Sequence, residues 1–165
     1  MVSIRKAEAR DREAILSITE AVGVFTREDL SCVGELLDTY YGKACQQEYF
    51  FLVACAESDE VLGYVAFGPT PLTEGTYDMY WLAVTPKAQG QGLAKQLFLA
   101  AEEELVAMGA RLIVLETSGT PDYAPARHMY DRLGYEGRNA VPDFYAPGDD
   151  LMIYHKHLRG HGSSG

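Results

Sequence analysis

The segment Val84-Thr-Pro-Lys-Ala-Gln-Gly-Gln-Gly-Leu-Ala-Lys95 carries the most specific chemistry in this chain. It leaves an apolar run, Met79 to Val84, that reads as a strand, and Pro86 stops the ladder because it has no N–H to donate. Gly90 and Gly92 let the backbone turn without a Cβ penalty. From Leu93 an apolar stripe continues at helical spacing through Leu97, Phe98, Ala101 and Leu105. N–H groups in such a loop and first helical turn lack intrahelical acceptors, and the positive end of the helix dipole adds to them. That arrangement binds phosphate, so a phosphate-bearing ligand is expected on Gln89, Gly90, Gln91, Gly92, Leu93, Ala94 and Lys95.

Several glycine loops could serve such a ligand. A P-loop needs Gly-x-x-x-x-Gly-Lys-Ser/Thr, and no such string occurs. A dinucleotide fingerprint needs Gly-x-Gly-x-x-Gly directly after a strand; here Lys95 stands at the third glycine and five residues separate Val84 from Gly90. An acidic residue closing the next strand, Glu116, is the one feature that favours a dinucleotide. A third pattern is Gln-x-x-Gly-x-Ala, spelled by Gln89, Gly92 and Ala94.

The elements that must position this loop can be read along the chain. Val2 to Glu8 is an edge strand, and Asp11 caps a helix over Arg12 to Val22 with Ala14, Ile15 and Ile18 on one face. Thr26 and Asp29 form a capping-box pair ahead of a second helix, whose stripe is Leu30, Val33, Leu36 and Leu37. Tyr49 to Ala56 and Val61 to Gly68 form a hairpin around Glu57-Ser-Asp-Glu60. A strand over Tyr77 to Val84 feeds the glycine loop and a helix ending at Met108, with Gly109 as its stop. Arg111 to Glu116 is a β-branched run suited to a buried central strand. A helix over Ala124 to Leu133 ends at Gly134, and strands over Tyr135 to Val141 and Leu151 to His157 close the sheet.

Composition sets the outer bounds. The chain has 165 residues, 47% of them apolar and 23% charged, which suits one globular domain. No apolar run approaches the roughly 18–20 residues of a membrane span, and the N-terminus lacks a signal-peptide core, so a cytoplasmic protein is expected. Net charge is −10 with no basic run, which argues against nucleic acid and suits a cationic substrate. Cys32, Cys45 and Cys55 are too scattered for a disulfide framework or a zinc site.

The Gln89, Gly92, Ala94 pattern resembles the Arg/Gln-x-x-Gly-x-Gly/Ala signature of the GCN5-related N-acetyltransferases. Ala126 to Tyr135 resembles that family's second motif, Ala-x-x-x-Tyr-x-x-x-Gly-Phe/Tyr, and Asp143 to Tyr154 resembles its closing hairpin. The resemblance covers residues 1–158 in order. It implies the α/β (α+β in some schemes) acetyltransferase fold: a mixed central sheet of six to seven strands with about four helices, ordered βααβββαβαββ. One domain over 1–158, with a flexible tail over 159–165, follows.

The resemblance further implies acetyl-CoA as co-substrate, its pyrophosphate on the glycine loop, and direct transfer to a primary amine of a small molecule or peptide. A strand N–H within Leu82, Ala83 and Val84 would polarise the thioester carbonyl. Tyr130 would lie near the cofactor sulfur and protonate the leaving thiolate, and Glu116 would accept the amine proton, unless it is a solvated or capping carboxylate. Tyr77, Asp78 and Tyr80 could orient a cationic amine. No metal is expected, since His155, His157 and His161 lack a cysteine or carboxylate at ligand spacing. His128 reads as a packing or surface residue, and Asp149 and Asp150 as turn residues. Gln89 stands where the family often has arginine, so Lys87, Lys95 and Arg127 are candidates to restore positive charge. Tyr123 replaces a frequent asparagine, in a long, proline-bearing segment from Gly119 to Pro125. A non-catalytic acyl-CoA-binding regulatory module is the alternative class, with a nucleotide-binding oxidoreductase third. Acceptor specificity would reside in Phe25 to Gly42 and Asp143 to Asp150, and the C-terminal strands leave a homodimer open.

Overall fold

The computed structural model describes residues 1–42 and 46–158; Cys45, His161 and the expected flexible tail lie outside the described residues. The elements are β1 (Ser3–Lys6), α1 (Arg12–Val22), α2 (Arg27–Gly42), β2 (Phe50–Cys55), β3 (Val61–Pro69), β4 (Thr76–Val84), α3 (Leu93–Ala107), β5 (Leu112–Ser118), α4 (Ala124–Arg132), β6 (Glu136–Ala146) and β7 (Asp149–His157). Short 3-10 turns lie at Ala9–Asp11, Pro86–Ala88 and Pro121–Tyr123. The seven strands form one sheet in the order β1-β2-β3-β4-β5-β7-β6. It is mixed: β4 and β5 run parallel, joined through α3, whereas β1–β2, β2–β3, β5–β7 and β6–β7 are antiparallel. The registered β4–β5 pairs run from Thr76↔Leu112 to Met79↔Leu115. No described helix is long and apolar enough to cross a membrane.

The chain divides into two compact units, Met1–Pro69 with Tyr80–Glu104, and Thr70–Met79 with the chain from Leu105 on. The first unit buries the predicted helix stripes against the hairpin. Ile15 and Ile18 of α1 and Val33 and Leu37 of α2 join Phe51, Val53, Tyr64 and Ala66 in one apolar cluster. The start of α2 carries the expected capping box: Asp29 N–H donates to Thr26 Oγ1 at 3.1 Å, and Thr26 N–H donates to Asp29 Oδ2 at 2.8 Å. Within the cluster, Thr19 donates its hydroxyl to the Ile15 carbonyl at 2.8 Å. That leaves the fully buried Tyr64 hydroxyl as donor in its 2.7 Å bond to Thr19 Oγ1.

Asp11 departs from its expected role. It stands at the N-cap position of α1 but makes no side-chain cap bond to that helix. Its carboxylate, only 4% exposed, accepts both terminal nitrogens of Arg5 at 2.7 and 3.0 Å and the Glu8 N–H at 2.7 Å. Arg5 continues to Asp59 at 3.3 Å, which also pairs with Arg10 at 2.6 Å, so charges tie β1, the first 3-10 turn and the β2–β3 connection together. Capping needs only local spacing. The arginine that captured this carboxylate sits on a strand paired with Val53, which spacing could not show.

Gly68 marks the tightest approach in this unit. A Cβ there would fall 2.0 Å from the Glu48 carbonyl oxygen, a backbone atom, and 3.3 Å from the Tyr80 ring. Gly68→Ala is therefore expected to cost about 2–3 kcal/mol, the upper part of the range for overpacking a filled interior. Urea denaturation checks this: an unchanged midpoint would mean that the neighbouring segment yields at no cost.

In the second unit the strand ends differ from expectation. β5 continues two residues past Glu116, because Thr117 and Ser118 keep the ladder to Met152 and Leu151. β6 continues past Val141 and Pro142 to Ala146, and the chain reverses at Pro147-Gly148, where Gly148 has φ 83°. Proline is tolerated because β6 is the last strand of the sheet. The extra length is absorbed by a register shift between Val141 and Ala146, with Asp143 at φ 54°. Asp143 is held there by its N–H on Asp150 Oδ1 at 2.9 Å and its carboxylate on Gly148 N–H at 2.7 Å.

Candidate functional site

In the first unit, β4 ends on buried Val84 and the chain turns through Pro86–Ala88, with Ala88 buried beneath the turn. The turn closes through Ala88 N–H on Thr85 oxygen at 2.9 Å and Gln89 N–H on Pro86 oxygen at 3.3 Å. Gly90 and Gly92 follow at φ 80° and 78°, the left-handed region where a side chain is strained. Nothing lies within 4 Å of a Cβ at either position, so backbone conformation rather than crowding calls for glycine. The Gln96 N–H then donates to the Gly92 carbonyl at 3.1 Å and α3 begins. Among the described residues, none of the N–H groups from Gly90 to Lys95 has an acceptor. The donor run expected from sequence is therefore present, and it starts one residue later than Gln89, whose own N–H is used by the turn.

The neighbouring strand end sorts the three carbonyl-polarising candidates. Thr85 N–H donates to the Leu62 carbonyl of β3 at 2.7 Å, and the Ala83 oxygen lies 2.9 Å from where a Cβ on Gly63 would sit. Ala83 thus turns its backbone groups toward β3. Because main-chain groups alternate along a strand, Leu82 and Val84 present theirs to the opposite edge. The Val84 carbonyl on that edge accepts from Gln89 Nε2 at 3.1 Å.

Of the cations expected near the loop, Lys87 is paired with Glu60. Arg127 donates to the Ser118 and Thr120 carbonyls at 2.7 and 2.8 Å, within the second unit. Lys95 is exposed and has no ion-pair partner among the described residues.

In the second unit, Tyr130 lies on α4 and is 8% exposed. Its ring packs against Tyr154, centroids 5.5 Å apart, and Tyr135 at 6.3 Å. Burial, reinforced by Tyr154 and Tyr123, pushes its phenol up to about 12, so it stays protonated through neutral and mildly alkaline pH. Tyr154 and Gly137 are supports that motif reading missed. A Cβ on Gly137 would fall 2.2 Å from the Tyr154 ring, so only glycine lets that ring lie flat across β6 beside Tyr130. The sequence signal for them was faint: a tyrosine in an alternating strand and a glycine inside its neighbour.

The proline-bearing segment before α4 is tightly pinned. Ser118 Oγ donates to Asp149 Oδ1 at 2.5 Å and accepts the Thr120 N–H at 3.1 Å, while Gly119 N–H donates to Asp150 oxygen at 2.9 Å. Pro121 and Pro125 fall in the first turns of the 3-10 turn and of α4, where a missing N–H costs nothing. Glu116 sits inside β5 opposite Ile153, with its side chain exposed. It has no hydrogen-bond or ion-pair partner among the described residues.

The amine-orienting candidates are partly engaged. Asp78 Oδ2 accepts from Thr70 Oγ1 at 2.7 Å, and the Tyr80 ring packs edge-on against Tyr49 at 5.7 Å. Trp81, not singled out in the sequence, packs edge-on against Phe25 at 5.3 Å. His155 and His157 lie edge to face, with Glu136 3.7 Å from His155, a carboxylate that linear spacing did not reveal.

Comparison with known proteins places the fold and the family. Residues 19–135 match the model of the acetyltransferase (GNAT) family. A mycothiol acetyltransferase of Arthrobacter sp. (strain FB24) is 32% identical over 136 residues, covering 76% of this chain. The chain spans 39% of that relative's length. A solved Desulfovibrio desulfuricans structure described as a GNAT acetyltransferase is 38% identical, with TM-score 0.86 over 96% of this chain and 100% of that one. The fold is also that of the Salmonella typhimurium protein yncA, solved with its cofactor acetyl-CoA: TM-score 0.78 at 22% identity, over 100% of this chain and 98% of that one. On this evidence the chain belongs to the GCN5-related N-acetyltransferase family.

Proposed function

We propose that the protein transfers an acetyl group from acetyl-CoA to a primary amine, directly and within a ternary complex. The observation that carries this reading is the run of acceptor-less N–H groups from Gly90 to Lys95 at the start of α3. These donors, with Lys95, would hold the pyrophosphate of the cofactor. The backbone N–H of Val84 or Leu82 would donate to the thioester oxygen as negative charge develops there; removing one such donor costs about 3–4 kcal/mol where measured. The amine nitrogen attacks the carbonyl carbon, a C–N bond forms and the C–S bond breaks. Glu116, directly or through water, accepts the proton lost by the amine. Tyr130 gives its proton to the departing sulfur, leaving an amide and the free thiol of CoA.

The acceptor is proposed to arrive as an ammonium, in keeping with a net charge of −10, and to release one proton to solvent before its neutral nitrogen attacks. Calorimetric titration tests the reading, with acetyl-CoA, NADH and ATP run in parallel. Micromolar binding of acetyl-CoA alone is expected. Binding of NADH instead, or of none of the three, would overturn it. Amine-stimulated thiol release then separates an enzyme from a non-catalytic acyl-CoA binder.

A further inference from the structure

We infer that Gln89 is a positioning residue that locks the carbonyl-polarising strand end to the phosphate loop by holding the Val84 carbonyl. The inference rests on the acetyltransferase reading and adds a role for one side chain that the loop pattern alone does not assign. Val84 is buried and turns its N–H and C=O to the edge of β4 opposite β3. It lies beyond the last registered β4–β5 pair, Met79↔Leu115. The Gln89 side-chain amide meets its carbonyl at 3.1 Å. Gln89 closes the turn at both ends: its main-chain N–H goes to Pro86 oxygen at 3.3 Å, and its side chain returns to the strand. The next residue, Gly90, opens the run of acceptor-less donors.

One residue therefore fixes two things together. It holds, together with the Thr85 N–H on the Leu62 carbonyl, the Val84–Thr85 peptide, and through the Val84 Cα it limits the rotation of the adjoining Ala83–Val84 peptide, whose N–H would meet the thioester oxygen. It also sets where the cradle of N–H groups begins relative to that strand. With its amide on a protein carbonyl, Gln89 serves the cofactor through geometry rather than as a side-chain ligand of phosphate. Any long side chain with a donor can do the same work; a side chain of equal length without one cannot.

Gln89→Met and Gln89→Glu remove the donor at nearly constant length, and Gln89→Arg restores one. Gln89 is exposed, so all three variants are expected to keep the wild-type melting temperature. Two readouts decide: calorimetric affinity for acetyl-CoA, and isotope-edited infrared spectra of bound acetyl-CoA carrying carbon-13 at the acetyl carbonyl. In the wild type the carbonyl band should lie below that of the free thioester. In Gln89→Met and Gln89→Glu it should move back toward the free position, with affinity weaker by about five- to tenfold, the worth of one lost hydrogen bond. Gln89→Arg should recover both.

An unchanged band in Gln89→Met and Gln89→Glu, with or without weaker binding, would overturn the inference and leave the acetyltransferase reading standing. Failure of the arginine variant to recover the band would overturn it as well. Wild-type protein that does not bind acetyl-CoA would overturn the reading on which it rests.

Discussion

Tyr130→Phe is expected to lower turnover by about 100- to 1,000-fold, the loss typical of a positioned acid, while acetyl-CoA affinity stays within about twofold. The ring stays in place because Phe keeps the contacts with Tyr135 and Tyr154, and only the hydroxyl is lost. The pH dependence sharpens the test. With its phenol pushed up to about 12 by burial, Tyr130 stays protonated across the working range. It should therefore produce no falling alkaline limb in kcat below about pH 10, given a reference tyrosine value near 10. A limb between pH 8 and 10 that disappears in Tyr130→Phe would show that the phenol titrates in that range, and would overturn its raised value rather than its role as acid. Stability follows the same sign: the fold favours the neutral phenol, so this contribution is present below pH 10 and declines as pH rises toward 12. Glu116→Gln is the companion variant. If it and Tyr130→Phe both leave amine-stimulated thiol release unchanged, neither residue carries the chemistry.

Asp11→Asn is expected to destabilise the protein by about 3 kcal/mol, the lower end for breaking a buried ion pair by removing one partner. The lower end applies because Arg5 keeps 23% of its side chain exposed and retains Asp59 at 3.3 Å, so its charge is only partly stranded. The stranding is still costly: the buried Arg5 Nε already has no hydrogen-bond partner among the described residues. Urea denaturation measures the loss, and a change below about 1 kcal/mol, as for an exposed surface pair, would show that the network is incidental. Replacing both partners with apolar residues, Arg5→Met with Asp11→Leu, should recover most of it.

The Asp11 effect depends on pH. Burial alone would raise this carboxyl, but the Arg5 hydrogen bonds and the Glu8 N–H outweigh it, and the net direction is below the ordinary 3.8. A lowered carboxyl stabilises the fold above the unfolded value, and the gain is lost as pH falls through the folded one. The gap between wild type and Asp11→Asn should accordingly narrow below about pH 4, the range of an ordinary aspartate.

How much of this was legible in the chain can be argued from particular residues. Order and type of the elements follow from hydrophobic period and punctuation, as the α2 capping box and the glycine stops at Gly109 and Gly134 illustrate. The loop was legible for the same reason: positive φ at Gly90 and Gly92 is a local demand, and local demands are written in local sequence. Strand ends were less so, since β6 runs through Pro142, which a central strand would not permit and an outer one does.

Sequence by itself determined the family, the βααβββαβαββ order and a glycine loop with acceptor-less N–H groups at the start of α3, because these depend on residues within a few positions of one another. Tertiary structure alone decided which way those residues face and what they meet. It gave Asp11 to Arg5 rather than to its helix, buried the Tyr130 phenol against Tyr154, left Glu116 exposed on β5, and turned Gln89 back onto Val84. Each of these outcomes depends on strand register, on burial, or on how a loop closes, and spacing along a chain does not contain those quantities.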